Sequence, residues 1–454
     1  MPTRILIVGG GAREHALAWK LSAEPGVNEV IVAPGSDAIA AEPRVRCAAG
    51  VDPLDAGSVV DVARHEAAEL VVIGPEAPLA AGVADELRAA GIATFGPSAA
   101  AARIESSKAF CREVARAAGV PMADGAAFDA RDAAIAFAAG LDGDGFEVVV
   151  KADGLAAGKG VTVCRDRSEA AAAIHRLFDD SDGIARVVVE RRVAGREASV
   201  IALTDGRDVV ALPAARDHKR LLDDDRGPNT GGMGGYSPLP DLTDAAIETI
   251  LDTVHRPILA ELARRGTPFV GALFAGLMLT SDGPVLLECN ARFGDPETQI
   301  ALPRVAVAIG PLLLACARGN LSGAARSLGL DRPLLPTTPH AAVAIVLATP
   351  GYPEQPRTGQ PIAGLDAAAR LGALVFHAGT QASDGGYVTR GGRVMTIVGR
   401  GPHLAAARSA AEAAAEVVTF DGAARRHDIA AELPASAERG GLPPAARPRT
   451  EAMV

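Results

Sequence analysis

Hydrophobic residues in the first hundred positions fall into short β-branched runs that alternate with alanine-rich segments. This pattern predicts strands joined by helices, with the strands at residues 4–8, 29–32, 70–73 and 92–95. Strands and helices that alternate in this way build a parallel sheet covered by helices on both faces. A turn rich in glycine or proline follows each predicted strand, and such turns gather where parallel sheets bind ligands. We therefore predict a parallel α/β domain at residues 1–103, with a ligand site at one edge.

A second pattern begins near residue 104, where the predicted strands come in adjacent pairs. Strands that follow each other closely along the chain are expected to pair in antiparallel fashion. The predicted pairs are 146–152 with 161–164, 186–190 with 197–203, and 271–280 with 284–290. We interpret residues 104–325 as an antiparallel α+β domain.

A third, smaller α+β domain is predicted at residues 326–432. Its strands are expected at 341–348, 373–377 and 393–398, and an alanine-rich helix is expected after His403. Residues 433–454 contain few large apolar side chains, so burial cannot offset the entropy of ordering them. We expect this last segment to be a disordered tail.

Composition narrows the class of protein. Of 454 residues, 48% are hydrophobic, which is enough for three cores at about 150 residues per domain. The net charge of −10 argues against nucleic acid as the main partner. Five cysteines without Cys-x-x-Cys spacing favour a reducing cytoplasm over a disulfide framework or a zinc site. The most apolar stretch, 305–317, is interrupted by Pro311 and is too short to span a membrane, so we expect no membrane association.

Gly9, Gly10 and Gly11 follow the first predicted strand and precede a helix expected to begin near Glu14. Free N–H groups at a helix N-terminus are suited to hold a phosphate. The dinucleotide-binding pattern is not met, because Glu14 stands where the third glycine belongs and no acidic residue ends the second strand. A phosphate site and a tight turn without a ligand are both consistent with these glycines.

The string VVVKADGLAAGKG at residues 148–160 places Lys151 at the end of a strand and Lys159 in a glycine-rich loop. It is not a Walker A loop, because Asp153 takes the place of the first glycine and a strand follows where a helix is required. A hairpin with a glycine-rich tip is suited to close over a triphosphate, with lysines supplying positive charge. An ordinary hairpin with surface lysines is the alternative.

Hard oxygen ligands are predicted on the last strand of the second region. Glu288 and Asn290 are two residues apart, so both side chains point to one face and are suited to Mg²⁺. Arg292 and Asp295 follow at once.

A glycine-rich string, PNTGGMGG at 228–235, is suited to a backbone that must approach a small substrate closely, and a flexible loop is the alternative. The charged run just before it, 217–220, is either catalytic or solvated.

Six strings in this order and at this spacing resemble the phosphoribosylamine–glycine ligases, an ATP-grasp family of purine synthesis. They are GGGAREHALAWK, IGPEAPL, VVKADGLAAGKG, DHKR, GPNTGGMGGYSP and RFGDPETQ, and the resemblance extends from residue 3 to about residue 431. It implies a pre-ATP-grasp domain, an ATP-grasp domain with a mobile lid at about 124–193, and a small C-terminal domain. It also implies that ATP drives the ligation of glycine to 5-phosphoribosylamine through glycyl phosphate, giving glycinamide ribonucleotide, ADP and phosphate.

The resemblance implies roles for single residues. The implied catalytic residues are Lys151, Lys159, Arg292 and Asp295, of which Asp295 is expected at the glycine amine. The implied ATP contacts are Lys108, Lys151, Lys159, Glu190, Val193 and Glu197. The implied substrate contacts are Gly9, Gly10, Gly11, Asp217, Lys219, Asn229, Thr230, Gly231, Gly232 and Asp295. Mg²⁺ or Mn²⁺ is expected on Glu288 and Asn290, the partners are small molecules, and we expect a monomer.

Two departures and three alternatives qualify this interpretation. Ala12 stands where the family usually has a fourth glycine, and residues 274–280 carry no carboxylate, which argues against a second metal site. Another ATP-grasp carboxylate–amine ligase and a nucleotide-binding protein without turnover are the nearest alternatives. A nicotinamide-dependent dehydrogenase is disfavoured by the incomplete glycine pattern.

Overall fold

The structure is a computed structural model that describes residues 1–141, 147–155, 160–179 and 186–431. Two predictions lie outside these residues: the role of Lys159 and the disorder of the tail at 433–454. No helix in the described ranges combines the length and the apolar character needed to cross a membrane.

The N-terminal region is a five-stranded parallel sheet in the order β3-β2-β1-β4-β5. Its elements are β1 (Arg4–Gly9), α1 (Ala12–Ser22), β2 (Glu29–Pro34), β3 (Val45–Cys47), α2 (Ala56–His65), β4 (Leu70–Ile73), α3 (Glu76–Ala80), α4 (Val83–Ala89), β5 (Thr94–Phe95) and α5 (Ala99–Ser106), with a 3₁₀ turn at Ile39–Ala41. The predicted parallel sheet is confirmed. The pattern missed β3, because this strand is only three residues long and has an arginine at its centre.

A small antiparallel sheet with its own apolar core follows, in the order β6-β9-β7-β8. Its elements, after α6 (Lys108–Ala117), are β6 (Gly125–Phe128), α7 (Arg131–Gly140), β7 (Val148–Ala152), β8 (Val161–Cys164), α8 (Arg167–Asp179) and β9 (Val187–Arg191). Apolar side chains of α7, α8, β7 and β9 form one buried cluster, including Ala134, Val150, Ile174 and Val189. We call the described part of residues 125–191 the small subdomain.

The chain then builds a larger antiparallel sheet and the segments around it. The elements are β10 (Arg196–Thr204), β11 (Val209–Ala211), β12 (Arg216–Asp217), β13 (Arg220–Leu222), β14 (Arg226–Asn229), β15 (Gly234–Ser237), α9 (Asp244–Ile250), α10 (Arg256–Arg264), β16 (Gly271–Thr280), β17 (Gly283–Asn290), α11 (Glu297–Ala301), α12 (Gly310–Ala317) and α13 (Leu321–Ser327). A π-helical turn, Leu251–His255, joins α9 to α10, and a 3₁₀ turn, Leu302–Arg304, follows α11. The sheet order is β11-β10-β16-β17, and the predicted β16–β17 hairpin is confirmed.

One predicted pairing is wrong. The runs at 186–190 and 197–203 form β9 and β10, but β9 pairs with β6 and β7, whereas β10 pairs with β11 and β16. The reason is that β10 is matched over nine residues to β16, from Arg196 opposite Leu279 to Thr204 opposite Gly271. Residues 192–195 therefore carry the chain from one sheet to another instead of closing a hairpin.

The C-terminal region contains β18 (Ala341–Ala348), β19 (Pro361–Ile362), α14 (Leu365–Arg370), β20 (Leu374–His377), β21 (Thr380–Ser383), β22 (Gly386–Thr389), β23 (Arg393–Gly401) and α15 (Leu404–Val417). The three predicted strands and the helix after His403 are confirmed, and α15 packs against β18 and β23. The main sheet has the order β12-β15-β18-β23-β20, so two strands of the preceding region complete it. This shared sheet places residues 217–235 directly beside the C-terminal strands.

Candidate active site

A cleft of about 1130 Å³ lies where the small subdomain, the β10–β17 sheet and the C-terminal strands meet. It brings together most of the predicted site residues, although they are spread over almost two hundred positions of the chain. Those that line it are Lys108, Lys151, Glu190, Val193, Glu197, Asp217, Lys219, Asn229, Thr230, Gly231, Glu288, Asn290, Arg292 and Asp295. Gly9, Gly10, Gly11 and Gly232 lie outside its lining.

Lys151 and Glu190 form a buried ion pair on adjacent strands of the small subdomain. The Lys151 ammonium also donates to the carbonyl of Leu287 on β17, at 3.0 Å. Glu190 accepts a second charged hydrogen bond, from Arg112 at 2.8 Å, and Arg112 is held in turn by the carbonyls of Ala123 and Gly125. The pair is therefore fixed between the small subdomain and the β10–β17 sheet, and both residues line the cleft.

The N-terminus of α6 is tied to the loop that follows β7. Asp153 accepts hydrogen bonds from the Ala109 backbone N–H at 3.1 Å and from the Ser107 hydroxyl at 3.3 Å. Lys108, the first residue of α6, donates to the Gly154 carbonyl at 3.0 Å. Burial lowers the pKa of Lys108, and Lys151 lowers it as well, whereas the Glu288 carboxylate raises it. Two ammonium groups that line one cleft are suited to bind an anion.

Glu288 and Asn290 share the cleft face of β17, with the buried Cys289 between them, as their spacing predicts. The Lys219 ammonium lies 3.4 Å from Glu288 and 3.6 Å from Glu197. Lys219, with smaller contributions from Lys151 and Lys108, lowers the pKa of Glu288 to about 2 against the opposing effect of burial. The same carboxylates raise the pKa of Lys219. Glu288 is therefore ionised at all physiological pH values.

The donor set of Glu288 and Asn290 fits a hard divalent cation that takes its remaining ligands from phosphate and water. An ionised carboxylate and an amide oxygen on one strand face are the oxygen types such a cation prefers. Within the described ranges, no group of three or more His, Cys, Asp and Glu side chains is arranged to hold a metal ion. A metal at this place would therefore take its further ligands from phosphate oxygens and water.

A second part of the cleft is built by residues 217–235. Both the backbone N–H and the hydroxyl of Thr230 donate to the Lys219 carbonyl at 2.8 Å, and Gly232 N–H donates to the Thr230 hydroxyl at 3.0 Å. Gly232 has a φ of +109°, and a Cβ there would lie 2.8 Å from the Asp217 carboxylate, so only glycine fits. The loop is therefore folded closely against Asp217.

One carboxylate oxygen of Asp217 has no hydrogen-bond partner among the described residues. Its Oδ1 is buried, and no hydrogen-bond donor among the described residues reaches it. Burial raises the pKa of Asp217 well above its usual value, and the nearby Glu297 carboxylate adds to this effect. The pKa of Glu297 is also raised by burial, although the Ser199 hydroxyl donates to it at 2.9 Å. This end of the cleft is suited to accept N–H groups or a positive charge.

Arg292 and Asp295 follow β17 at the junction of three regions. The Arg292 guanidinium lies 3.0 Å from Glu105 and 3.3 Å from Glu76, and these carboxylates raise its pKa against the effect of burial. Asp295 pairs with Arg393 at 3.3 Å and accepts a hydrogen bond from Gln299 at 2.8 Å. Burial alone would raise the pKa of Asp295, but Arg393 lowers it. Both groups are therefore held in their charged forms.

The glycines after β1 form a close turn with Glu14. Gly11 N–H donates to the Glu14 carboxylate at 2.7 Å, so an internal side chain already takes one N–H that the sequence offers to a phosphate. Arg13, next along the chain, pairs with Glu14 at 2.9 Å and lines the cleft. The turn therefore lies next to the cleft, and phosphate binding by Gly9, Gly10 and Gly11 stays a prediction.

Several charged residues of the cleft were not predicted. They are Arg13, Glu76, Glu105, Arg112, Glu297 and Arg393. Arg13, Glu76 and Glu297 stand inside the strings GGGAREHALAWK, IGPEAPL and RFGDPETQ, so a signal for them was present. Glu105, Arg112 and Arg393 stand in no such string and reach the cleft only through the tertiary fold.

Comparison with known families covers most of the chain. Three models of the phosphoribosylglycinamide synthetase family match in order: the N domain at residues 3–105, the ATP-grasp (A) domain at 106–298 and the C domain at 342–432. The ATP-grasp match at residues 106–298 indicates that this region belongs to a class of domains that uses ATP together with a divalent metal ion.

Individual proteins match over nearly their whole length. The phosphoribosylamine–glycine ligase of Streptomyces coelicolor is 47% identical over 438 residues, covering 94% of this chain and 99% of that protein. The ligase of the same name from Leifsonia xyli is 46% identical over 431 residues, with the same coverage. The crystal structure of phosphoribosylamine–glycine ligase from Thermotoga maritima superposes with a TM-score of 0.77 at 30% identity, covering 94% of this chain and 100% of that one.

Proposed function

We propose, from the premise that the chain belongs to the phosphoribosylglycinamide synthetase family, that this protein ligates glycine to 5-phosphoribosylamine. The products are glycinamide ribonucleotide, ADP and phosphate, in the de novo synthesis of purines. The observation that carries the proposal is the cleft itself. It combines the cations Lys108, Lys151 and Lys219 with the carboxylate–amide pair Glu288 and Asn290 in one space.

In this reaction the carboxylate of glycine must first be made reactive. A carboxylate is a poor electrophile until one of its oxygens can leave, and phosphorylation supplies that leaving group. Transfer of the γ-phosphoryl group of ATP to glycine gives glycyl phosphate and ADP. The amine of phosphoribosylamine then attacks the acyl carbon, and phosphate leaves. Such transfers depend on positioning and charge neutralisation more than on a protein nucleophile.

ATP is assigned to the end of the cleft beside the small subdomain. Lys108 and Lys151 would contact its phosphates, because both ammonium groups line the cleft at fixed positions. Glu190 and Val193 would line the base and ribose pocket, with Glu197 at a ribose hydroxyl. Lys159 belongs to the same assignment by its place in the loop string.

A divalent cation, Mg²⁺ or Mn²⁺, would be held by Glu288 and Asn290. When bound, it would neutralise charge on the phosphate oxygens. The chain's own contribution is to keep Glu288 ionised, which Lys219 does from 3.4 Å.

The acceptor end is assigned to residues 217–235 together with Arg292 and Asp295. Asp295 and the Asp217 oxygen that no donor of the described residues reaches would face the amino groups of the substrates, and from that place Asp217 would accept the proton of the attacking amine. Arg292, anchored by two carboxylates, would stabilise negative charge on the acyl phosphate. Asn229, Thr230, Gly231 and Gly232 would shape the pocket, and Gly9, Gly10 and Gly11 would hold the 5-phosphate.

The proposal is tested by ADP release with phosphoribosylamine generated in the assay, with and without glycine. We expect ADP to form only when all three substrates are present, and the product mass to be that of glycinamide ribonucleotide. Glu288→Gln, purified in parallel, controls for contaminating ATPases. ADP release that is independent of glycine, or that depends on another carboxylate such as bicarbonate, would point to a different ATP-grasp ligase. No turnover with any carboxylate would leave a nucleotide-binding protein.

A cytoplasmic monomer is part of the proposal. All five cysteines are free thiols, which suits a reducing compartment. Sedimentation at micromolar concentration measures the oligomeric state directly, and a mass of 46.1 kDa is expected.

A further inference from the structure

Arg393, at the start of β23, reaches from the C-terminal strands into the acceptor end of the cleft. Its Nη1 donates to the Gly231 carbonyl at 2.6 Å and to the Asp295 carbonyl at 3.0 Å. Its Nη2 lies 3.3 Å from the Asp295 carboxylate. One guanidinium therefore joins the glycine-rich loop to the turn after β17, two segments separated by more than sixty residues.

Gly231 is held on both of its polar backbone groups. Its carbonyl accepts from Arg393, and its N–H donates to the Tyr352 hydroxyl at 3.0 Å. A Cβ on Gly231 would lie 3.1 Å from the centre of the guanidinium, so the close approach depends on the missing side chain. The C-terminal region thus fixes the loop through side chains as well as through the shared sheet.

We propose that Arg393 is a positioning residue that sets the distance between the loop at 230–232 and Asp295, and so controls affinity for glycine and phosphoribosylamine but not for ATP. This inference rests on the proposed function, because it uses the two acceptor substrates named there. Arg393 itself need not touch a substrate. It acts through Gly231 and Asp295.

Arginine suits this role better than lysine. A planar guanidinium offers several donors in a fixed geometry and can serve two carbonyls and one carboxylate together. A lysine ammonium keeps the positive charge near Asp295 but cannot span the same three acceptors. The two substitutions therefore separate the charge of Arg393 from its geometry.

The experiment compares Arg393→Met, Arg393→Lys and Tyr352→Phe with the wild type. Arg390→Met is the matched control, because Arg390 is an exposed arginine of the same region whose guanidinium donates to Gln381. Measured for each are kcat, the KM for glycine, the KM for phosphoribosylamine and the dissociation constant of ATP by direct binding. Melting temperature verifies folding.

We expect Arg393→Met to raise both acceptor KM values by roughly 10- to 100-fold, as for loss of charged hydrogen bonds. Arg393→Lys should recover part of this loss, and Tyr352→Phe should raise the same KM values by about 3- to 10-fold. ATP affinity should stay within twofold in all three variants, and Arg390→Met should match the wild type.

Three outcomes would overturn the inference. Acceptor KM values within twofold of wild type in Arg393→Met would show that the contacts position nothing. A parallel loss of ATP affinity would show a general structural role, and a lysine variant that matches the wild type would show that the charge near Asp295, not the geometry of the guanidinium, is what matters. If Arg393→Met does not fold, Arg393→Lys and Tyr352→Phe carry the same test. A wild-type protein that makes no ADP with glycine would instead refute the proposed function.

Discussion

The two ends of the cleft are built in different ways. The small subdomain has its own sheet and core and meets the rest of the cleft through a few polar contacts, among them Lys151 to Leu287 at 3.0 Å and Asn229 to Val161 at 3.3 Å. The acceptor end, residues 217–235, contributes strands to the C-terminal sheet and is also held by Arg393 and Tyr352. The nucleotide end is therefore a separate unit. The acceptor end is part of the central framework, by which we mean the β10–β17 sheet and the C-terminal sheet together.

This difference matches what each end is proposed to do. A unit with its own core can shift as a body without loss of packing, which suits a part that covers a nucleotide. An end that must align an acyl carbon with an amine benefits from rigid support, because small errors in geometry slow the reaction greatly. The resemblance implies a mobile lid at 124–193, and the separate core of the small subdomain supports that prediction.

The largest effect is expected where the two ends meet. Glu288→Gln removes the charge that Lys219 faces at 3.4 Å and weakens the proposed cation site. Turnover should fall by roughly 10²- to 10³-fold, the scale for losing one preorganised charge in an active site, and the Mg²⁺ requirement should rise. Activity titrated with Mg²⁺ measures both, and Asp282→Asn, on the exposed turn before β17, is the control. Normal turnover at limiting Mg²⁺ would remove Glu288 from the site.

The next effect concerns the nucleotide end alone. Lys151→Met should weaken ATP binding by roughly 10- to 100-fold, because a charge-assisted contact to phosphate is lost. The fold should survive, since Glu190 keeps Arg112 as a partner at 2.8 Å. Nucleotide titration and melting temperature test this. ATP binding within twofold of wild type would contradict the assignment of Lys151.

A smaller effect tests the glycine turn. Gly11→Asp adds a carboxylate where a Cβ would meet only the flexible Glu14 side chain, at 3.1 Å, whereas a Cβ on Gly10 would meet the Gly35 carbonyl at 2.7 Å. The KM for phosphoribosylamine should rise by about tenfold through repulsion of its phosphate, and ATP affinity should not change. Gly11→Ala, measured in the same assay, separates charge from bulk. If both variants behave like the wild type, the turn holds no phosphate.

The smallest expected effect is a difference in stability at acid pH between the central framework and the small subdomain. His255, fully buried under β10, contacts the Val200 carbonyl at 3.2 Å, and burial lowers its pKa to about 4 from the usual 6.5. Between these values the unfolded chain binds a proton that the folded state does not, so stability should fall as pH drops from 6.5 towards 4. The slope is at most about 1.4 kcal/mol per pH unit for this group.

The small subdomain offers a contrast within the same molecule. Among its described residues the single histidine is His175, which is exposed. Acid should therefore loosen the central framework before the small subdomain. Denaturant unfolding at pH 7.5 and pH 5 should show the loss, and His255→Gln should reduce it. An unchanged pH dependence in that variant would show that other groups, such as His377, dominate.

The sequence predicted those parts of the fold that depend on residue patterns within short segments. β-Branched runs gave β1, β2 and β4, and alternation with turn residues gave the β16–β17 hairpin. The two-residue period of a strand also predicted that Glu288 and Asn290 share one face, and both residues line the cleft.

What failed depended on contacts distant along the chain. The partner of β9 is set by long-range register, and the two-residue strand Arg216–Asp217 joins the C-terminal sheet without any hydrophobic signal. The charged contacts of Arg393 to Gly231 and Asp295 likewise arise only when three regions meet. The bond from Gly11 to Glu14 was missed because helix capping and phosphate binding use the same N–H groups.

The central claim is that the nucleotide end and the acceptor end are held independently. The ATP dissociation constant, measured side by side in the wild type, Lys151→Met and Arg393→Met, tests it most directly. The account predicts a loss of at least about tenfold in Lys151→Met and a value within twofold of wild type in Arg393→Met. Equal weakening of ATP binding in both variants would contradict it, because the C-terminal support would then hold the nucleotide as firmly as it holds the acceptors.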